Sequence, residues 1–306
     1  MNRIYLKGQV LEDRPDFISE ADDKKRKNFK VMLARYLSTP LPEEKVDIHL
    51  NDETFTVHCD ELGYFSKWVT TKSSFEEGWH TARFSICDSE GVEQCSRSGK
   101  FLIKNETPQF GVISDIDDTI LVSHATQLFR KIRLIMTKNS KTRLPFEGVA
   151  EFYQQLSHEG KNPLFYVSSS EWNLYDFLDD FFKVRNIPKG PFLLQEFKSG
   201  IKDLLFTGGG SHQHKLQKIR RLMDLYPNMH FILIGDNGQL DPLIYHKALI
   251  EFKERIKTVY IRKIKKHDAI DPVVIADFEK YKVPLLLIKD TSEAEAHAKA
   301  QGWVHS

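Results

Sequence analysis

The chain has 306 residues, beyond the usual size of a single hydrophobic core, which argues for two domains. Its 44 Lys+Arg against 43 Asp+Glu leave a formal charge of +1, so no global attraction draws it to nucleic acid or membrane and any such attraction must be local. The three cysteines, Cys59, Cys87 and Cys95, lie in no CxxC or Cys/His ligand spacing, which argues against structural zinc and leaves idle thiols.

The opening MNRIYLKGQVLEDRPD has an early cation but no long apolar stretch of the signal-peptide kind. No run of about 18 apolar residues follows anywhere. We therefore expect a soluble, cytoplasmic protein without a transmembrane segment, whose membrane contact, if it has one, is peripheral.

Short strand-like segments fill residues 1–105: IYLKGQV, FKVMLARYL, KVDIHL, FTVHC, FSKWVT, HTARFSIC and GKFLIKN. Ile4, Leu6 and Gly8 alternate with Tyr5 and Lys7, as in a strand with one buried face. Asp60-Glu61-Leu62-Gly63 supplies an Asp and a permissive Gly where a hairpin would reverse. The expectation is an antiparallel β-sandwich domain over 1–105, immunoglobulin-like or carboxypeptidase-regulatory-like. EADDKKRKN at residues 20–28 mixes both charge signs and reads as a solvated loop. Lys104-Asn-Glu-Thr-Pro108 reads as a linker.

From Gln109 apolar strands alternate with amphipathic helices, which implies parallel pairing and a doubly wound α/β domain over 106–306. Ligands bind outside the carboxyl ends of such strands. Three apolar runs deliver a polar residue there: GVIS delivers Asp115, LFYV delivers Ser168 and FILIG delivers Asp236.

Asp115-Ile-Asp117-Asp118-Thr119 crowds three carboxylates onto the end of an apolar strand. Like charges so close raise one another's pKa unless a cation neutralises them, and hard oxygen donors suit Mg²⁺. An isolated DxD is as readily a solvated turn, so the downstream residues decide. Ser168 opens a Ser-Ser-Ser run before a helix expected to start near Glu171 and Trp172, where a hydroxyl and helix N–H groups can hold a phosphoryl oxygen. Ser169 and Ser170 read as plain N-cap residues. Lys215 begins a helix with Leu216, Ile219, Leu222 and Met223 on one side and could neutralise a phosphate together with Asp115. A lone helix lysine is commonly a surface charge, His212 and His214 read as loop residues, and Gly208-Gly-Gly210 reads as a connector, since it lacks the P-loop ending. Gly235-Asp236-Asn237-Gly238-Gln239-Leu240-Asp241 adds two more carboxylates on one tight loop.

In order and spacing these four motifs resemble those of the haloacid dehalogenase superfamily. GVISDIDDTI, FYVSSSEWNLYDFL, HKLQKIRRLMDLYP and FILIGDNGQLDPLIY together resemble the catalytic domain of phosphatidate phosphatases of the actin patch protein type, over roughly residues 108 to 265. Glu171 stands where that family commonly has proline, and Asn237 where it often has serine; neither is a catalytic motif position. The resemblance implies a HAD-like fold and a Mg²⁺-dependent phosphatase in which Asp115 is the nucleophile, Asp117 the acid and base, and Thr119 positions the loop. Ser168 and Lys215 would surround the phosphoryl group. Mg²⁺ would be held by Asp115, Asp117 through its backbone carbonyl, Asp236 and Asp241, with Asp118 helping to orient that shell.

Neither insert between motifs reads as a large cap, so an open site admitting a bulky substrate is expected. The insert LVSHATQLFRKIRLIMTKNSKTRLPF carries Arg130, Lys131, Arg133, Lys138, Lys141 and Arg143 and no acid. Leu128, Phe129, Ile132, Ile135 and Met136 share a helical face, so the basic amphipathic segment 124–146 suits a lipid interface, with a phosphorylated lipid, phosphatidate, as substrate. The same stripe would also suit packing on its own domain. Rival functions are the same chemistry on nucleic-acid termini or phosphoproteins, although nucleic acid is not the expected partner, and a non-catalytic interaction protein, against which the intact motifs argue.

Overall fold

The structure, a computed structural model, describes residues 3–12, 39–104, 108–120, 145–196, 212–264 and 269–304. These divide into two compact units, one of residues 3–12 and 39–104 and one from 108 onward. Each has its own apolar core.

In the first unit β1 (Arg3–Gln9) pairs antiparallel with β4 (Tyr64–Thr70). A second antiparallel sheet holds β2 (Lys45–Leu50), β3 (Glu53–His58), β5 (Gly78–Cys87) and β6 (Glu93–Ile103) in the order β3-β2-β5-β6. Because side chains alternate along a strand, Ile4 and Leu6 on β1 and Val46, Ile48 and Leu50 on β2 turn inward together. There they meet Phe65, Val69, Ala82, Phe101 and Ile103. Each of the larger ones, fully removed from water, contributes roughly 1.5–3 kcal/mol.

The turn at residues 60–63 forms as its chemistry requires: Asp60 Oδ1 accepts from the N–H groups of Leu62 and Tyr64, and Gly63 takes φ +71°. It does not close a hairpin, however. β4 leaves the sheet of β3 and pairs with β1, so the turn carries the chain from one sheet to the other. FKVMLARYL and the charged stretch at 20–28 lie outside the described residues.

The second unit is one parallel sheet of six strands, β7 (Gly111–Ser114), β8 (Leu164–Glu171), β9 (Phe192–Gln195), β10 (Phe231–Asp236), β11 (Ile256–Arg262) and β12 (Leu285–Ile288), in the order β12-β11-β10-β7-β8-β9. The helices are α1 (Val149–Ser157), α2 (Tyr175–Val184), α3 (His212–Leu225), α4 (Asp241–Phe252), α5 (Pro272–Lys280) and α6 (Thr291–Ala300). On one face, Ile113, Phe165, Leu233, Val259 and Ile261 pack with apolar residues of α3, α4 and α5. On the other, Tyr166 meets Phe182 of α2, and Tyr260 meets Phe152 of α1 and His297 of α6. Helices thus cover both faces, which is why the central runs GVI and FILI are apolar throughout. Among the described residues no helix is long and apolar enough to cross a membrane.

Counted from β7, the strand order is that of a doubly wound sheet: the chain moves outward through β8 and β9, then returns to the opposite side of β7 with β10. The reversal opens a crevice at the carboxyl ends of β7 and β10. The segment FLLQ forms β9 at the sheet's edge. The basic segment 124–146, apart from Pro145 and Phe146, and Gly208-Gly-Gly210 lie outside the described residues.

Candidate active site

The β7 ladder runs one residue past the strand, with the Asp115 N–H donating to Ile234 O at 2.8 Å. This seats Asp115, 1% exposed, beside the end of β10, whose last residue is Asp236, 0% exposed. Gly235 lets Asp241 come close to the end of β10: a Cβ there would lie 2.5 Å from Asp241 Oδ2. Asp241 begins α4, and its Oδ2 accepts from the Asp236 N–H at 3.3 Å. The carboxylates of Asp115, Asp236 and Asp241 consequently present oxygens all within 4.8 Å of one another.

Lys215 enters this cluster from α3. At positions 215, 219 and 222 it continues the stripe of Ile219 and Leu222 by helical spacing, so its stem is buried with them. Its Nζ lies 2.7 Å from Asp241 Oδ1, 3.0 Å from Asp115 Oδ1 and 3.4 Å from Gln239 Oε1. Burial alone would push the ammonium's pKa down, but Asp115 and Asp241 outweigh it and the net shift is upward, so the lysine stays charged.

One ammonium does not balance three carboxylates. Burial pushes the Asp115 carboxyl up to about 7, with Lys215 opposing and Asp241 and Asp117 reinforcing the shift. Asp236 is pushed up to about 9, by burial first and then by Asp241 and Asp115. Asp236 Oδ1 accepts from the N–H groups of Gly238 and Gln239 at 2.7 and 3.0 Å, whereas Asp236 Oδ2 and Asp115 Oδ2 are buried without a hydrogen-bond partner among the described residues. Buried carboxylate oxygens without donors are costly. A hard divalent cation resolves both deficits, and an all-oxygen donor set fits Mg²⁺.

Asp117 stands apart from that trio. Its Oδ2 accepts from Ser170 Oγ at 2.7 Å and lies 3.3 Å from Ser168 Oγ. Asp118 takes φ +54°, a left-handed conformation that aspartate tolerates, and the turn it makes buries Thr119, whose Oγ1 has no partner among the described residues.

The structure corrects the reading of the serine run. The three serines belong to β8, which continues to Glu171; helical backbone begins at Trp172 as expected, but as a 3₁₀ turn over Trp172–Leu174, and α2 follows from Tyr175. The α-helical N–H groups thus come after Leu174 and not directly after Ser168. Neither Ser169 nor Ser170 caps α2, whose N-cap is Leu174 with no side-chain bond. The contacts that sequence reasoning missed are those of Ser170 with Asp117, Lys218 Nζ with Ser168 O at 2.9 Å, and Gln239 with Lys215. The spacing of Ser168 and Ser170 in an extended run was the only available signal.

Fold and site together define an α/β protein whose parallel sheet carries, at its switch point, buried carboxylates from the ends of two adjacent strands and the start of a helix, joined by one buried lysine. More narrowly, the chain belongs to the family described as phosphatidate phosphatase APP1, catalytic domain, which matches residues 110–263. It is 30% identical over 156 residues to phosphatidate phosphatase APP1 of Saccharomyces cerevisiae, and 30% identical over 158 residues to an uncharacterized protein of Schizosaccharomyces pombe. Each match covers 50% of this chain and 25% of the relative, so the likeness spans a quarter of the length of these relatives. A solved carbohydrate acetylesterase from Xanthomonas citri is matched over 74% of this chain and 63% of its own at 9% identity, with a TM-score of 0.25.

Proposed function

We propose that the chain is a Mg²⁺-dependent phosphomonoesterase of the haloacid dehalogenase type that works through an aspartyl-phosphate and converts phosphatidate to diacylglycerol and phosphate. The observation that carries this reading is the meeting of Asp115, Asp236, Asp241 and Lys215 at one crevice. Membership of the APP1 catalytic-domain family supports the choice of substrate.

Each group has a role that its surroundings favour. Asp115 attacks phosphorus with its Oδ2, which has no hydrogen-bond partner among the described residues, as the bond from phosphorus to the glycerol oxygen breaks. Asp117, outside the trio, gives its proton to the leaving oxygen and later takes one from the water that releases phosphate from Asp115. The Lys215 ammonium and the Ser168 hydroxyl offset charge on the phosphoryl oxygens. Mg²⁺, held by Asp115, Asp236, Asp241 and the Asp117 backbone carbonyl, would supply the positive charge that keeps the nucleophile ionised. Thr119 positions the loop that carries nucleophile and acid, and Asp118 helps to orient the shell around the metal. The basic segment 124–146 would bring the site to anionic headgroups.

The test is phosphate release, with Mg²⁺ and with chelator, from phosphatidate in mixed micelles, 3′-phosphorylated DNA and a phosphopeptide. Phosphatidate should be turned over fastest and only with the metal. Asp115→Asn, which keeps shape but loses charge and nucleophilicity, should fold and lose at least about 10³-fold in kcat. Undiminished activity in that variant overturns the mechanism. A faster rate on DNA or peptide overturns the substrate.

A further inference from the structure

The hydroxyls of Ser168 and Ser170 do different work. Two residues apart on β8, they lie on one side of the strand and both approach Asp117. The Ser170 approach, 2.7 Å, is an ordinary O–H···O distance, and the Ser168 approach, 3.3 Å, is beyond the usual range of about 2.5–3.0 Å. In addition, the Ser170 N–H donates to Ser168 Oγ at 2.8 Å. That bond occupies a lone pair of Ser168 and leaves its hydrogen to be donated elsewhere. Lys218, bound to Ser168 O at 2.9 Å, holds the backbone where the register of β8 against β9 breaks, between Val167 and Glu171.

We propose that Ser170 is the positioning residue for Asp117: its hydroxyl holds the Oδ2 of the acid, and its N–H frees Ser168 for the phosphoryl group. The inference rests on the phosphomonoesterase reading above and deepens it. In the first step an oxygen of Asp115 bonds to phosphorus, the bond from phosphorus to the leaving oxygen breaks, and the proton of Asp117 passes to that oxygen, giving an alcohol and an Asp117 carboxylate. Ser170 keeps its own proton throughout and supplies only orientation. Its loss should therefore matter in proportion to how much the leaving group needs the proton.

The distinguishing measurement is kcat/KM, which reports the first irreversible step and so excludes the later hydrolysis of the aspartyl-phosphate. It is taken on the full chain with phosphatidate micelles, whose alkoxide leaves poorly, and with p-nitrophenyl phosphate, whose phenolate leaves without help. Ser170→Ala should lose roughly 10–100-fold on phosphatidate and less than about threefold on p-nitrophenyl phosphate. Ser168→Ala should lower both alike, because it removes a contact to the phosphoryl group common to both substrates. Ser170→Thr, which restores the hydroxyl, should stay within about threefold of wild type on both. Should Ser170→Ala fail to fold, Ser170→Cys, with its weak S–H donor, must show the same split. Equal losses on the two substrates, or none on phosphatidate, overturn the role of Ser170 alone. A wild-type chain that hydrolyses neither substrate overturns the phosphomonoesterase reading and this inference with it.

Discussion

At Asp236 one carboxylate oxygen accepts two backbone N–H groups and the other accepts none among the described residues, in a position with no exposed surface. With its carboxyl pushed up to about 9, and that of Asp115 to about 7, both carry protons in the metal-free native state at pH values where the unfolded chain has released them. The native state then binds more protons than the unfolded one, so stability falls as pH rises. In chelator, unfolding temperature should drop from about pH 4 upward, through about 7 and on to about 9. Mg²⁺ displaces those protons and should remove most of the drop. Asp236→Asn keeps an oxygen for the N–H groups of Gly238 and Gln239 and turns a neutral donor toward the neighbouring carboxylates. In chelator at pH 8 it should be more stable than wild type by about 1 kcal/mol while losing the response to Mg²⁺, a trade of function for stability. Thermal unfolding with and without Mg²⁺ decides it; a destabilised Asp236→Asn that still responds to the ion would count against the cation site.

Between β10 and α4 the backbone decides how close the acidic groups come. A Cβ on Gly235 would lie 2.5 Å from Asp241 Oδ2 and 2.9 Å from the Tyr245 ring, and Tyr245 cannot retreat freely because its hydroxyl donates to Ile234 O. Gly235→Ala should cost about 1–3 kcal/mol by overpacking, and displacement of Asp241 should weaken Mg²⁺ binding about 10–100-fold. Urea unfolding and calorimetric Mg²⁺ titration separate the two effects; unchanged affinity would mean that Asp241 does not serve the ion. Elements of this kind were legible where a local pattern carries the information. GVI and FILI announce strands buried on both faces, and the polar residue after each marks the crevice. Ser170 was not legible, because a serine after an apolar run looks the same as a cap and as a strand residue until β8 is seen to continue to Glu171. The pairing of β4 with β1 was hidden for a related reason: residues 60–63 specify a turn, but the partner strand is chosen by a distant face. Lys215 lay between these cases, since its helical spacing with Ile219 and Leu222 was visible while the carboxylates it meets come from elsewhere in the chain.

The two compact units have separate apolar clusters, one gathered by β1, β2, β4, β5 and β6 and the other by the parallel sheet with α3, α4 and α5. Every group assigned to the reaction belongs to the second, so a ligand of the site should stabilise that unit by mass action and leave the first unaffected. At a Mg²⁺ concentration a hundredfold above Kd the gain is about 2.7 kcal/mol. For a unit of this size each kcal/mol moves the midpoint by roughly 2–4 °C. Calorimetry of the full chain should therefore show two transitions, of which one shifts upward by roughly 5–10 °C on adding Mg²⁺ and the other stays in place. In Asp236→Asn neither should move with the ion, which assigns the shifting transition to the unit that carries the carboxylates. One cooperative transition displaced as a whole would instead mean that the two cores unfold together, and the β unit would then have to be counted as part of what holds the site.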